Sequence, residues 1–285
     1  MTQKPLVSVL ICAHNAERFI LETLRSVWQQ SYEAIEILVL DNNSDDQTYA
    51  RLRELSRTSP LPMQVLKSTS NLGVPAGLNR LLDQASGSFA AILDHDDLWH
   101  KEKTRLQVDF LETHPEYPGC GAQTYVWWES SGRVSLWKVK EHDSQTFHGT
   151  LMFRNRRAWR YDPTLYFRAD VHFTEDVLCA EGRQLYNLQR PLAVWRMRAD
   201  GKNLSRRWNT LKPLWSYWRR THDHIETCKG LVARILPGKV FDYLLYLRHS
   251  ISELRAGDAA LDGFPPPVGP AIRDRNCTHE QVHVL

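Results

Sequence analysis

Three carboxylates and two histidines lie between Asp94 and His100, directly after the apolar run SFAAIL. Asp94 and Asp96 are two residues apart, so in extended backbone their side chains project the same way, whereas His95 projects the opposite way. Carboxylates this close repel each other unless a cation lies between them. Oxygen ligands suit Mg²⁺ or Mn²⁺, which take one or two protein carboxylates together with water and phosphate oxygens. The pair therefore predicts a divalent-metal site that also holds a diphosphate.

A second pair of acids, Glu175 and Asp176, lies in the run TEDVLCAEG. A carboxylate can accept the proton of an attacking hydroxyl when its pKa is raised, and partial burial or the neighbouring Glu175 would raise the pKa of Asp176. The run is also typical of a helix start, with Thr174 as the cap and acids in the first turn. We predict Asp176 as a general base, while Glu175 is equally explained by catalysis and by the helix start.

The first hundred residues contain a repeating pattern that predicts the fold on which these acids lie. Continuous runs of β-branched residues and leucine are typical of strands buried on both faces. Helices are predicted between the runs, one with Asn15 as its N-cap and one that Pro75 opens. This alternation predicts an α/β fold with a Rossmann-like, mostly parallel sheet flanked by helices. The predicted strands are residues 7–12, 35–40, 63–67 and 88–93.

Polar residues follow three of the predicted strands. In open parallel sheets, ligands bind at the carboxyl ends of the strands. The acidic runs at 41–46 and 94–97 are therefore expected to face one crevice, with Asn71 and Gly73 beside it. Gly73 would allow close approach of a nucleotide, although a turn before the next helix explains it equally well. Asp97 is likewise explained as the cap of a helix beginning near residue 100.

The composition of the chain argues against several classes of protein function. The chain has 285 residues, 42% of them hydrophobic, and a formal charge of +3, so it can form a core and its bulk charge gives no case for nucleic-acid binding. Its five cysteines lack C-x-x-C spacing, which favours reduced thiols. No run reaches the roughly 18 apolar residues of a spanning helix, and the first apolar run is read as a strand, not a signal peptide. We expect a cytoplasmic protein.

Three sequence blocks together resemble family 2 glycosyltransferases with the GT-A fold. They are PLVSVLICAHNAERFILETLRSVWQQSYEAIEILVLDNNSDDQT, NLGVPAGLNRLLDQASGSFAAILDHDDLW and TEDVLC, and they span residues 5–205 in the expected order. The resemblance implies a GT-A-like catalytic domain at residues 1–205. A helical extension is predicted at 206–256 and a disordered tail at 257–285.

The resemblance also implies roles for individual residues. Asp41 would contact the nucleotide base, Asp94 and Asp96 would bind the metal and the diphosphate, and Asp176 would act as base on the acceptor hydroxyl. No second carboxylate is placed as a sugar nucleophile, which favours single displacement with inversion. The remaining predicted donor-binding residues are Asn15, Asn43, Asn71, Gly73 and Arg198.

The chain departs from the family pattern at three points. Cys12 to Asn15 replace the usual Pro-Thr-Tyr-Asn, Asn42 replaces a frequent second aspartate, and a terminal Tyr-Arg-x-His becomes Trp195 to Arg198. Arg198 could supply the positive charge for the leaving diphosphate that the missing histidine would otherwise provide.

Two other functions compete with glycosyl transfer. A haloacid-dehalogenase-like phosphatase also has Asp-x-Asp after a strand, but on its first strand and before a threonine-rich turn. A non-catalytic nucleotide-sugar or glycan-binding protein on the same scaffold is the remaining alternative. A glycan or lipid-linked acceptor is expected. The mixture of aromatic and basic residues at 211–255 is typical of peripheral contact with the inner face of an anionic membrane, but plain packing on the catalytic domain explains it slightly better.

Overall fold

The computed structural model describes residues 4–165, 168–200, 252–253 and 263–264. Within these residues the chain forms one mixed sheet of eleven strands. Its first half is parallel and runs in the order β3-β2-β1-β4. All four strands predicted from the sequence are present, and the predicted α/β architecture is confirmed. Their bounds are β1 (Val7–Ala13), β2 (Ile35–Asp41), β3 (Met63–Lys67) and β4 (Phe89–Ile92).

Helices pack on both faces of the parallel half of the sheet, and alternate residues of each strand are buried against opposite helical layers. Val9 and Ile11 of β1 pack in the same core cluster as the first helix, while Leu10 packs with the third helix on the opposite face. A strand buried on both faces must be apolar at every position, which is the pattern seen in the sequence. The helices are α1 (Ile20–Trp28), α2 (Thr48–Thr58), α3 (Val74–Leu82) and α4 (Lys103–Thr113).

The second half of the sheet is mostly antiparallel. A long strand, β10, pairs in parallel with β6, and the pairing shifts register on both sides of Pro191. β9 joins the halves by pairing with both β4 and β6. The strands are β5 (Leu98–Trp99), β6 (Gly119–Trp128), β7 (Arg133–Trp137), β8 (His142–Asp143), β9 (Met152–Arg154), β10 (Leu185–Met197) and β11 (Ser252–Glu253).

Three local predictions are wrong. Asn15 does not cap α1, which begins at Ile20; its φ of 51° is left-handed, and its side chain accepts from Asp45 instead. Thr174 does not cap a helix, because the short helix α5 (Ala169–His172) runs on into a π-helix (Phe173–Leu178). The polar composition of residues 132–146 predicts a loop, but the stretch contains β7 and β8, which pair with longer strands.

Few residues beyond 200 are described. Ser252–Glu253 pair with β7, Gly263 O accepts a hydrogen bond from Lys101 N at 2.8 Å, and Phe264 packs edge-on against His100. These contacts attach parts of the predicted extension and tail to the catalytic domain. The rest of the predicted segments 206–256 and 257–285, including the proposed membrane-contact region, lies outside the described residues.

A lysine is wholly buried at the start of α4. Lys103 Nζ donates to Gln107 Oε1 at 2.7 Å and lies 3.7 Å from the centroid of the Trp99 ring. Burial lowers the pKa of Lys103 from 10.5 to about 7. Its ammonium form is therefore disfavoured in the folded state but not in the unfolded state.

This pKa predicts a pH-dependent stability. Between pH 7 and pH 10 the unfolded chain holds the Lys103 proton and the folded chain does not, so stability rises with pH. Relative to Lys103→Met, the free energy of unfolding of the native protein should rise by about 2–3 kcal/mol from pH 7 to pH 9.5. Urea unfolding at several pH values measures this. Lys101→Met, at an exposed position, is the control, and equal pH slopes in all three proteins would contradict the prediction.

Candidate active site

A cavity of about 390 Å³ opens at the carboxyl ends of β1, β2 and β4. Four of the predicted donor-binding residues line it, and they come from three separate parts of the chain. Asn43, Asp41, Asp94 and Asp96 are not among the lining residues. The four that line the cavity are Asn15, Asn71, Gly73 and Arg198.

Asp41 lies at the end of β2 with no exposed surface, and neither of its carboxylate oxygens has a hydrogen-bond partner among the described residues. The next residue, Asn42, accepts a hydrogen bond from Leu72 N at 2.9 Å and donates one to Asn71 Oδ1 at 3.2 Å, so it links the end of β2 to the loop before α3. A buried carboxylate without donors is strongly unfavourable. Asp41 is therefore suited to a ligand that brings its own N–H groups, as a nucleotide base does.

The loop before α3 is shaped by Gly73. Its φ of 77° is left-handed, where a side chain would be strained, and its N–H donates to Asn71 Oδ1 at 2.9 Å. Asn43 has a φ of 60° at the end of β2. These two turns hold the polar rim of the cavity next to the buried Asp41.

Because the buried Asp41 carboxylate has no hydrogen-bond partner among the described residues, we predict that it affects donor binding independently of metal. Asp41→Asn should weaken nucleotide-sugar affinity by about tenfold or more, with or without Mn²⁺, because one acceptor oxygen becomes a donor. Calorimetric titration in Mn²⁺ and in EDTA measures this. Asp109→Asn, exposed on α4, is the control. Unaltered donor affinity in Asp41→Asn would show that the nucleotide base binds elsewhere.

The Asp94–Asp97 turn follows β4. Asp94 is partly buried; burial raises its pKa, the nearby His148 lowers it and Asp96 raises it. Its carboxylate has no hydrogen bond to the described residues. Asp96 is buried, with its Oδ2 3.7 Å from Arg198 Nη1. The two carboxylates thus share a site that is short of positive charge.

Arg196 forms hydrogen bonds that stabilise the Asp94–Asp97 turn. Its guanidinium is 3% exposed, donates from Nε to Asp96 O at 2.9 Å and forms a 2.5 Å ion pair with Glu22 on α1. Its backbone N–H donates to Asp97 Oδ1 at 3.0 Å. Asp97 is therefore not a helix cap, since α4 begins six residues later; burial and Asp96 raise its pKa well above the usual value.

Glu175 and Asp176 lie on the π-helix. Asp176 is not partly buried as expected: its side chain is 66% exposed and lies 3.8 Å from His172 Nε2. Glu175 accepts a hydrogen bond from Gln145 Nε2 at 2.5 Å. Among the described residues, no hydrogen bond or ion pair joins either acid to Asp94 or Asp96. The structure therefore brings the metal-site and donor residues together but leaves Asp176 at the surface.

Comparison with known proteins identifies the family. A family model described as glycosyl transferase family 2 matches residues 8–167, more than half of the chain. The chain belongs to glycosyl transferase family 2. The phosphatase alternative is thereby excluded, and the sequence resemblance is confirmed.

Curated relatives of the chain are named as glycosyltransferases. The putative glycosyltransferase EpsE of Bacillus subtilis is 29% identical over 85% of this chain and 94% of its own length. The Escherichia coli protein WfgD, named as a UDP-Glc:alpha-D-GlcNAc-diphosphoundecaprenol beta-1,3-glucosyltransferase, is 34% identical over 37% of this chain and 41% of its own. The second match is confined to part of each protein.

Solved structures confirm the GT-A fold. S. aureus TarS 1–349 in complex with UDP-GlcNAc has a TM-score of 0.63 at 21% identity, covering 85% of this chain and 71% of that one. The mannosyltransferase PcManGT from Pyrobaculum calidifontis, in complex with GDP-Man and Mn²⁺, has a TM-score of 0.61 at 17% identity, covering 87% and 81%. At these identities the likeness concerns the fold.

The residues of this family 2 enzyme fit a divalent cation that is held jointly with a ligand. No group of three or more His, Cys, Asp or Glu in the described part of the chain could hold a metal alone. Asp94 and Asp96 offer carboxylate oxygens, Asp94 without a protein donor, which suits Mg²⁺ or Mn²⁺ completed by diphosphate and water.

Seven residues that line the cavity are not among the ligands predicted from the sequence. His14 and Asn42 lie where the chain departs from the family pattern, so those departures are a usable signal. His95 is expected to project away from Asp94 and Asp96, yet its Nδ1 lies 3.3 Å from Cys12 O and the residue lines the cavity. The seven are Cys12, His14, Asn42, Asp45, Asp46, Val74 and His95.

Proposed function

We propose that the protein transfers a sugar from a nucleotide-diphosphate sugar to an acceptor hydroxyl, with inversion, in the synthesis of a cell-surface polysaccharide or glycolipid. The observation that carries this proposal is the buried Asp41 carboxylate, which has no donor among the described residues and lies at the same end of the sheet as the Asp94–Asp97 turn, with β1 between them. A base with N–H groups and a diphosphate with a cation would satisfy both.

In this proposal each group has one task. Asn15, Asn43, Asn71 and Gly73 bind the nucleotide beside Asp41. Asp94 and Asp96 hold Mn²⁺ or Mg²⁺, which would neutralise charge on the leaving diphosphate. Arg198, 3.7 Å from Asp96, meets the same phosphates.

The transfer itself is a single displacement. The acceptor oxygen bonds to the anomeric carbon, the bond to the nucleoside diphosphate breaks, and Asp176 takes the hydroxyl proton. Asp176 is exposed on the π-helix, where an acceptor hydroxyl can reach it. Glu175, held by Gln145, fixes the segment's orientation.

The acceptor is proposed to be a glycan or a lipid-linked sugar, as the names of WfgD and of the amylovoran biosynthesis protein AmsB of Erwinia amylovora suggest for those relatives. No helix in the described part of the chain is long and apolar enough to cross a membrane. Peripheral contact at the cytoplasmic face through residues 211–255 remains a proposal. Salt-sensitive co-sedimentation with anionic liposomes, lost on truncation after Ser205, would support it.

One observation favours the alternative of a nucleotide-sugar-binding protein without turnover: Asp176 is exposed and distant from the turn's hydrogen-bond network. A single experiment separates the two functions. A thermal-shift panel of UDP-glucose, UDP-GlcNAc and GDP-mannose with Mn²⁺ identifies the donor, because a ligand stabilises the folded state in proportion to its affinity. Donor hydrolysis and transfer are then measured. Stabilisation with no turnover would favour the binding protein, and no stabilisation by any nucleotide would refute both.

A further inference from the structure

A short 3₁₀ turn, His148–Thr150, extends the edge of the sheet past β4. β4 and β9 are antiparallel, and Ile92 N donates to Leu151 O at 3.0 Å. Asp94 follows Ile92 by two residues and His148 precedes Leu151 by three, so both lie just beyond this pairing. His148 is close enough to Asp94 to lower the pKa of its carboxyl.

This turn is held firmly. Trp99 Nε1 donates to Gly149 O at 2.8 Å, and Thr150 Oγ1 donates to Phe147 O at 2.7 Å. A Cβ at Gly149 would lie 3.2 Å from Asp97 Oδ2, so the turn packs directly against the acidic loop. The position of His148 relative to that loop is thus set by the surrounding core.

The imidazole of His148 is oriented by Tyr161. Its Nε2 lies 2.9 Å from the Tyr161 hydroxyl, and the rings meet edge-on at 5.8 Å. Tyr161 is fixed in turn by two 2.8 Å hydrogen bonds between its backbone and the Asn79 amide, and its ring stacks on Phe173 at 3.9 Å. His148 Nδ1 has no hydrogen-bond partner among the described residues.

His148 lies on the acceptor side of the site. The nucleotide cavity is lined by His95 and Arg198 but not by His148. On the other side, Phe173 begins the π-helix that carries Asp176. In the proposed reaction the transferred sugar lies between the diphosphate and a base on that helix, and Tyr161 connects His148 to the helix by stacking on Phe173.

We propose that His148 binds a hydroxyl group of the transferred sugar through its imidazole and that Tyr161 is the residue that positions it. The inference rests on the proposed function. His148 Nδ1 is a ring nitrogen that can hydrogen-bond a sugar hydroxyl, and His148 lies outside the cavity lined by the residues proposed to bind the nucleotide. His148 therefore contributes to the recognition of the sugar and not of the nucleotide.

The test compares two ligands that differ only in the sugar. His148→Phe and Tyr161→Phe are titrated in Mn²⁺ with the best-binding donor of the panel, for example UDP-glucose, and with the matching nucleoside diphosphate. The dissociation constant of the nucleotide sugar should rise about tenfold in His148→Phe and about threefold in Tyr161→Phe, as expected for one hydrogen bond lost or loosened. The dissociation constant of the nucleoside diphosphate should stay within about twofold.

A matched pair elsewhere provides the control. His142 Nδ1 lies 3.1 Å from the Tyr117 hydroxyl, away from the cavity, so His142→Phe and Tyr117→Phe should change neither constant. Equal losses for both ligands in His148→Phe, or an unchanged nucleotide-sugar affinity in Tyr161→Phe and His148→Phe, would overturn the proposal. Failure of the native protein to bind any nucleotide would instead refute the proposed function and this inference with it.

Discussion

Replacing Asp96 with alanine is expected to abolish sugar transfer, lowering its rate by about 10³-fold or more, because charge stabilisation by a metal contributes several kcal/mol to the transition state. Asp96 is one of two carboxylates on the acidic turn, and its backbone oxygen is already fixed by Arg196 at 2.9 Å. Removing the side chain therefore removes a metal ligand while the turn keeps its main support.

Measurements of nucleotide-sugar binding to Asp96→Ala should also show the loss of a proposed metal ligand. Nucleotide-sugar affinity in Asp96→Ala should equal that of the native protein in EDTA and should no longer respond to Mn²⁺. Asp83→Ala, which removes an exposed ion pair with Arg160, is the control. Full activity of the native protein in EDTA would refute the metal proposal outright.

Asp176→Asn is expected to lower turnover by about 10²–10⁴-fold while leaving donor affinity unchanged, because asparagine keeps the shape but cannot accept the acceptor's proton. The side chain is 66% exposed and contacts the donor cavity nowhere among the described residues, so donor binding should not register the change. Steady-state kinetics and donor titration together measure the two effects.

Glu175→Gln is the informative companion to Asp176→Asn. It keeps the hydrogen-bonding geometry toward Gln145 and removes only a charge, so its turnover should fall far less. Near-normal turnover in Asp176→Asn, with a large loss in Glu175→Gln, would transfer the role of base to Glu175.

The parallel half of the fold could be read from the sequence because its signal is local. Strands covered on both faces must be apolar at each position, and the end of such a run marks where polar ligands gather. That reasoning placed Asp41, Asp94 and Asp96 at one end of the sheet, where they are found. The helix over Thr48–Thr58 was missed because it buries only Thr48 and Leu52, too few apolar positions to give a helical period.

The support of the site could not be read from the sequence because it depends on distant partners. Arg196 and Glu22 are 174 positions apart, and nothing local to either distinguishes a buried ion pair from two surface charges. The exposure of Asp176 follows from a π-helix, whose hydrogen bonds are not encoded by an apolar period. The short strands β7 and β8 pair with longer neighbours, and with five and two residues they are too short to give a clear strand pattern of their own.

The register shift around Pro191 has a consequence for how this family member can vary. Side chains along a strand alternate between faces, so the shift decides that Arg196 and Arg198, not Trp195 and Met197, meet the acidic turn. Inserting one residue there would place Trp195 and Met197 where Arg196 and Arg198 lie, exchanging two cations for an indole and a thioether without altering either proposed metal ligand. Length changes are ordinarily tolerated between strands; in β10 they are as restrictive as a change of a catalytic side chain, so insertions and deletions among relatives should avoid this strand.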